Sequence, residues 1–197
     1  ARCWGGNGQG QLGIGMEVTA RRVPVPVSAL GSHVQALASG RDHVCAILTG
    51  GGLRCWGSND YGQVGNGEVI GPRYRVTPVD VVGLGSGVQA IDAGYSHSCA
   101  QLAGGAVKCW GWNAAGQLGD GTDARRFAPV GVVGLGGAAQ ALGAGSDHSC
   151  AVVGGAVKCW GSNVRNQLGK PASAGVNPPT PVPTLSGIST VSAGYNH

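Results

Sequence analysis

The tripeptide Cys-Trp-Gly occurs four times in the chain, beginning at Cys3, Cys55, Cys109 and Cys159, at intervals of 52, 54 and 50 residues. Each copy runs into a similar tail: CWGGNGQGQLG, CWGSNDYGQVG, CWGWNAAGQLG and CWGSNVRNQLG. A second element lies upstream, GRDHVCAI from Gly40, GYSHSCAQ from Gly94 and GSDHSCAV from Gly145. A period of this length means one supersecondary unit repeated, each copy burying its apolar face against the next. The units run over 1–39, 40–93, 94–144 and 145–193, and a further copy starts at 194–197, within one segment covering 1–197.

Within a unit the apolar runs are short. In the second they are Val34–Ser39, His43–Leu48 and Leu53–Trp56, with a further extended run around Val76–Val82. No window of a dozen residues carries capped helical periodicity, and three or four short strands per period suit a propeller blade. The 39 glycines fall at recurring positions, so they read as turns and close strand contacts rather than low complexity. With 42% hydrophobic and 11% charged residues, the chain has the reverse of a disordered composition. No run of about 18 apolar residues is present, so a membrane-spanning helix is not expected. The opening ARCWGG is not a signal peptide and starts inside a repeat.

Six of the seven cysteines form local pairs: Cys45 with Cys55, Cys99 with Cys109, and Cys150 with Cys159. In HSCAVVGGAVKCWG the Gly154-Gly155 pair is a two-residue hairpin turn. Pairing outward from it sets Cys150 opposite Cys159 at a non-hydrogen-bonded position. There the Cα atoms should approach to about 4.5–5.5 Å, within disulfide range. The other two pairs are one residue longer, and three-residue loops, Thr49–Gly51 and Ala103–Gly105, restore the same opposition. Cross-strand disulfides are the expectation; a metal site would have only His-x-Cys and one further Cys, three ligands at no standard spacing. Reduced buried thiols are the remaining alternative. Disulfides imply an oxidising compartment: secreted, cell-surface or periplasmic. Cys3 is left over.

The pattern G-x-x-H-[SV]-C-A, a glycine turn, then [VL]-[KR]-C-W-G-x-N-x-x-[GN]-Q-[LV]-G resembles the repeat of the RCC1 (regulator of chromosome condensation) family along all of 1–197. The resemblance implies an all-β fold, a β-propeller of about 50-residue blades. Each blade would be a four-stranded antiparallel sheet, here a segment of a seven-bladed type of ring. Through its cysteines the chain looks more like a bacterial extracellular branch than the eukaryotic type. Both ends fall within a blade, so a piece of a larger propeller is expected first, and several chains joined in one ring second.

His43, His97 and His148 hold one equivalent position, as do Trp4, Trp56, Trp110 and Trp160. A residue repeated in every unit serves the unit, because an active site needs different groups converging on one place. These histidines are expected to pack and bond backbone, and the indoles to be large apolar bodies each needing one N–H partner. The adjacent His-Ser pairs form no oriented triad, and no G-x-S-x-G elbow is present. Asp120-Gly121-Thr122-Asp123 is a weak calcium candidate because the other units lack its carboxylates. Neither a cofactor nor a metal is expected.

The variable connections after the Gln-Leu-Gly element carry Arg21-Arg22, Arg73-Tyr74-Arg75 and Arg125-Arg126-Phe127. Rotation between blades should place them in an arc on one face, and arginine and aromatic residues are enriched in binding hot spots. The alternative is that these polar loops only keep the protein soluble. A net charge of +4, with acidic residues interspersed, argues against nucleic acid. The reading is a non-enzymatic extracellular binding or scaffold module whose loops meet a protein or glycan. Its rival is a structural subunit self-associating through its terminal blades.

Overall fold

The computed structural model describes residues 1–16, 19–31 and 33–197. All its elements are strands. A two-stranded sheet, β1 (Arg2–Gly6) with β2 (Ala20–Pro26), comes first. Three four-stranded antiparallel sheets follow. The second sheet is β3 (Val34–Ser39), β4 (His43–Leu48), β5 (Leu53–Ser58) and β6 (Tyr74–Asp80). The third is β7 (Val88–Ala93), β8 (His97–Leu102), β9 (Val107–Gly111) and β10 (Arg126–Gly131). The fourth is β11 (Ala139–Ala144), β12 (His148–Val153), β13 (Ala156–Gly161) and β14 (Thr180–Pro181). Each sheet is a simple meander, and the first strands β3, β7 and β11 are neighbours in turn around an axis. This is a segment of an all-β propeller.

The hairpins have the expected register. Cys150 faces Cys159 and Val153 faces Ala156, around Gly154 and Gly155 at φ 59° and 77°. Two consecutive positive-φ residues are what a type I′ turn needs, and glycine supplies them without a Cβ clash. In the longer hairpins Leu48 N donates to Gly52 O and Leu102 N to Ala106 O, both at 2.8 Å, which encloses three-residue loops. All three disulfides form, each with Cα atoms 4.1 Å apart, somewhat closer than the sequence-based expectation. Cys3 is an unpaired thiol.

Two strand limits differ from the sequence reading. β5 runs on to Ser58 and β6 starts at Tyr74, because the ladder resumes beyond an irregularity between Cys55 and Gly57 with Gly57 opposite Arg75. Moreover, the sheets are out of phase with the sequence period. Val34–Ser39 closes the unit 1–39 yet forms the first strand of the sheet ending at Asp80.

The core lies between sheets. Ile47, Leu53, Val64 and Leu84 of the second blade pack with Ala100 and Trp110 of the third. Val107, Leu118 and Leu135 of the third pack with Ala151 and Trp160 of the fourth. Val27 and Leu30 meet Val44, Ala46 and Trp56 in the same way. Each junction is therefore centred on the tryptophan of its later blade.

Candidate functional site

The repeated residues build the joint between blades. Asn59 Oδ1 accepts from Val64 N at 3.2 Å and Gln63 Oε1 from Tyr61 N at 2.9 Å, which curls the segment so that Gln63 O faces the next blade. That carbonyl accepts from Trp110 Nε1 at 2.9 Å and from Ser98 Oγ at 3.0 Å. Gln117 O receives Trp160 Nε1 at 3.0 Å and Ser149 Oγ at 2.9 Å, and Gln11 O receives Trp56 Nε1 at 2.9 Å. Gly65 allows the indole to lie against the turn: a Cβ there, at φ +74°, would stand 2.6 Å from Trp110 Nε1.

Trp4 departs from this set and corrects the expectation that all four tryptophans pack alike. Trp56, Trp110 and Trp160 are buried, whereas Trp4 is 62% exposed.

The histidines also differ from expectation in their partner. His43 Nε2 lies 2.9 Å from Ser98 Oγ, and His97 Nε2 lies 2.9 Å from Ser149 Oγ, both across blades. Ser98 gives its proton to a carbonyl, so the imidazole must donate, and its Nε2 has no free lone pair for base catalysis. Nδ1 of His43, His97 and His148 is buried with no hydrogen-bond partner among the described residues. Burial holds the pKa of His43 down to about 4 and that of His97 to about 3, with His43 and His148 adding repulsion at His97. These rings are neutral joint members. Because the six cysteines are consumed in disulfides, the His-x-Cys metal alternative has lost its thiolates. Among the described residues no cluster of three or more His, Cys, Asp or Glu is placed to hold a metal ion.

The variable residues gather elsewhere. The loops joining the first to the second strand and the third to the fourth emerge at one end of every blade, since Ser39 faces Val44, His43 faces Gly57 and Ser58 faces Tyr74. The hairpins that carry the disulfides turn at the opposite end. On the loop face Arg41 lies over the Tyr95 ring at 4.5 Å, and Tyr95 meets Tyr195 edge-on at 5.8 Å. Farther from the axis Tyr61 and Trp112 pair at 4.6 Å. None of these was singled out from the sequence: Arg41, Tyr95 and Tyr195 share one variable place, after the glycine that opens G-x-x-H, and Tyr61 and Trp112 come from different units at non-equivalent offsets.

The arginine arc resolves into two groups. Arg21, Arg75 and Arg126 are equivalent, each opposite the glycine of a Cys-Trp-Gly element. They staple their own loops: Arg21 reaches the Met16 sulfur at 3.2 Å, Arg75 pairs with Glu68, and Arg126 Nε donates to Asp120 Oδ2 at 2.8 Å. Burial pushes the Asp120 carboxyl up, but bonds from Thr122, Arg126 and Asn113 outweigh it and hold the group below the ordinary range. Its oxygens are thus taken by the loop itself, which replaces the calcium reading. The second group faces solvent. Arg22 is exposed, Arg73 gives its Nε to Asp60 at 2.7 Å, and Arg125 lies 5.2 Å over the Phe127 ring. Tyr74 starts β6 beside them.

Comparison with known proteins places the chain. A regulator of chromosome condensation (RCC1) repeat model matches residues 3–47, 51–101, 105–152 and 155–197. The ultraviolet-B receptor UVR8 of Arabidopsis thaliana is 33% identical over 120 residues, 60% of this chain and 26% of UVR8, so the chain spans about a quarter of that relative. Human WBSCR16 superposes with a TM-score of 0.82 at 26% identity, over 91% of this chain and 48% of its own. Prp20p of Saccharomyces cerevisiae gives 0.82 at 23% identity, over 98% and 49%, a likeness of fold alone.

Proposed function

The chain belongs to the RCC1 repeat family, and from that premise we propose that it is a non-enzymatic binding module, of a bacterial extracellular type, that presents its loop face to a protein or glycan partner. The units 1–39, 40–93, 94–144, 145–193 and 194–197 act together as one rigid segment. The observation that carries the reading is the division of labour among arginines. Arg21, Arg75 and Arg126 hold loops, while Arg22, Arg73 and Arg125 stand exposed, Arg73 and Arg125 beside Tyr61 and Phe127. Arginine and aromatic side chains are what protein partners most often use as anchors. Prp20p, of the same fold, has binding properties toward Gsp1p and histones, which favours a protein partner in general without naming one here. Three disulfides favour the secreted, cell-surface or periplasmic setting, since they persist where the medium oxidises. Among the described residues no helix is long and apolar enough to cross a membrane.

The test is site-specific photo-crosslinking in extracellular fractions, with the probe at Tyr61 on the loop face or at Thr49 on the hairpin face. A partner captured from Tyr61 and not from Thr49 is expected. Capture only from the hairpin face overturns the reading. So does a hydrolytic turnover abolished by His148→Ala in a folded protein.

A second reading, a structural subunit that self-associates through its terminal blades, is favoured by β1, which among the described residues pairs with β2 alone, and by the exposed Trp4. Sedimentation velocity separates the two: concentration-dependent assembly lost in Trp4→Ser supports the subunit.

A further inference from the structure

Between the outer loops of the second and third blades lies a cavity of about 300 Å³. Asp60, Tyr61, Val69, Arg73, Arg125 and Phe127 line it. Two features distinguish it from the rest of the loop face. First, it holds a cation in excess. Its carboxylates are spent, Asp60 on Arg73 and Glu68 on Arg75, whereas Arg125 makes no ion pair among the described residues. Arg73 has an 82% exposed side chain and, among the described residues, bonds only through Nε, so its terminal nitrogens remain for a ligand. Secondly, its rim is aliphatic. Val69 is 69% and Ile70 is 94% exposed, at the tip of the loop leading into Arg73.

We infer that this cavity is the docking site for an acidic, aliphatic segment of a protein partner. Resting on the binding-module reading above, the inference narrows it to one site and one chemistry. A carboxylate from the partner sits between the Arg73 and Arg125 guanidinium groups, which offer paired donors to it. A neighbouring Leu, Ile or Val packs on Val69 and Ile70, removing the most exposed apolar surface of the loop from water. A glycan fits less well, because sugar rings need a free aromatic face. Tyr61 is turned against Trp112, and the Phe127 ring is covered by Arg125.

Fluorescence anisotropy tests this with a short fluorescein-labelled peptide in which Glu alternates with Leu and Val, added to the disulfide-intact protein. The expected result is saturable binding that weakens with salt and is lost when Lys replaces Glu in the peptide. Arg125→Ala should weaken it about tenfold or more, as for an interface anchor. Ile70→Ser should also weaken it, and Arg165→Ala, an exposed arginine on the fourth blade, should leave it unchanged. Equal binding of the Lys peptide, or indifference to both Arg73→Ala and Arg125→Ala, overturns the inference. Binding of an oligogalacturonate through Arg125, with no peptide binding, also overturns it and reassigns the cavity to an acidic glycan. In any of these cases the broader reading stands or falls separately, on crosslinking from Tyr61.

Discussion

The imidazole of His43 and the hydroxyl of Ser98 meet across the junction of two blades at 2.9 Å, and Ser98 passes the chain of donors on to Gln63 O at 3.0 Å. Removing the hydroxyl by Ser98→Ala leaves a buried imidazole N–H with no acceptor, which costs about 1–3 kcal/mol. Urea unfolding of Ser98→Ala, His43→Leu and the two combined checks it. The double variant should be less destabilised than the sum of its single substitutions, since both polar partners leave together. Strict additivity would show that the bond contributes nothing.

Acid should loosen the same joints. The folded pKa values of His43 and His97 lie at about 4 and about 3, below the ordinary value of 6.5, through burial. Below that ordinary value the unfolded chain binds protons that the folded one refuses. The contribution is therefore fully present above about pH 6.5 and is lost as pH falls toward the folded values, by about 1.4 kcal/mol per pH unit for each such histidine. Asp92, raised by burial against bonds from Ala144 and Ala93, has the opposite sign, and its protonation restores some stability in acid. Urea midpoints measured from about pH 7 down to about pH 4 should fall, and His97→Gln should flatten the slope. A flat profile in the wild-type chain overturns the assignment of neutral rings.

Much of this architecture was legible in the residues. The Gly154-Gly155 turn set the Cys150–Cys159 register because a hairpin is local, and period-two pairing follows from its loop length. The His43–Ser98 bond was not legible, although serine follows histidine at 97–98 and 148–149, because it depends on the rotation between blades. The division within the arginine arc was not legible for a similar reason. Arg73 and Arg75 are two residues apart, yet one is exposed and the other is held by Glu68, a distinction made by loop folding rather than composition.

Glycine replacements should separate backbone strain from collision. Gly65 and Gly83 both have positive φ, +74° and +69°, but a Cβ at Gly83 would meet nothing within 4 Å. Gly83→Ala should cost about 1–2 kcal/mol, the penalty of the left-handed region alone. Gly65→Ala should cost about 2 kcal/mol or more beyond that, because Trp110 must move. Thermal unfolding of the two variants, with Trp110 fluorescence as the local reporter, measures the difference. Equal costs would mean the indole does not bear on the turn.

The disulfides close short loops, with sequence separations of 10, 10 and 9 residues. Replacing Cys99 and Cys109 together by serine should lower stability by about 2–3 kcal/mol, as expected for loops of this length. Native mass spectrometry after alkylation should find only Cys3 labelled before reduction. Labelling at any of the other six would remove the argument for an oxidising compartment.

The phase difference between sequence period and sheet has a hereditary consequence. A period such as 40–93 contributes three strands to one sheet and the first strand to the next, and it carries both Gln63, the acceptor, and Trp56, a donor to the blade before. Duplicating one period in the gene, cut at any point, therefore adds a whole blade together with matching halves of its junctions. Growth of such a ring by copying requires no new interface to evolve.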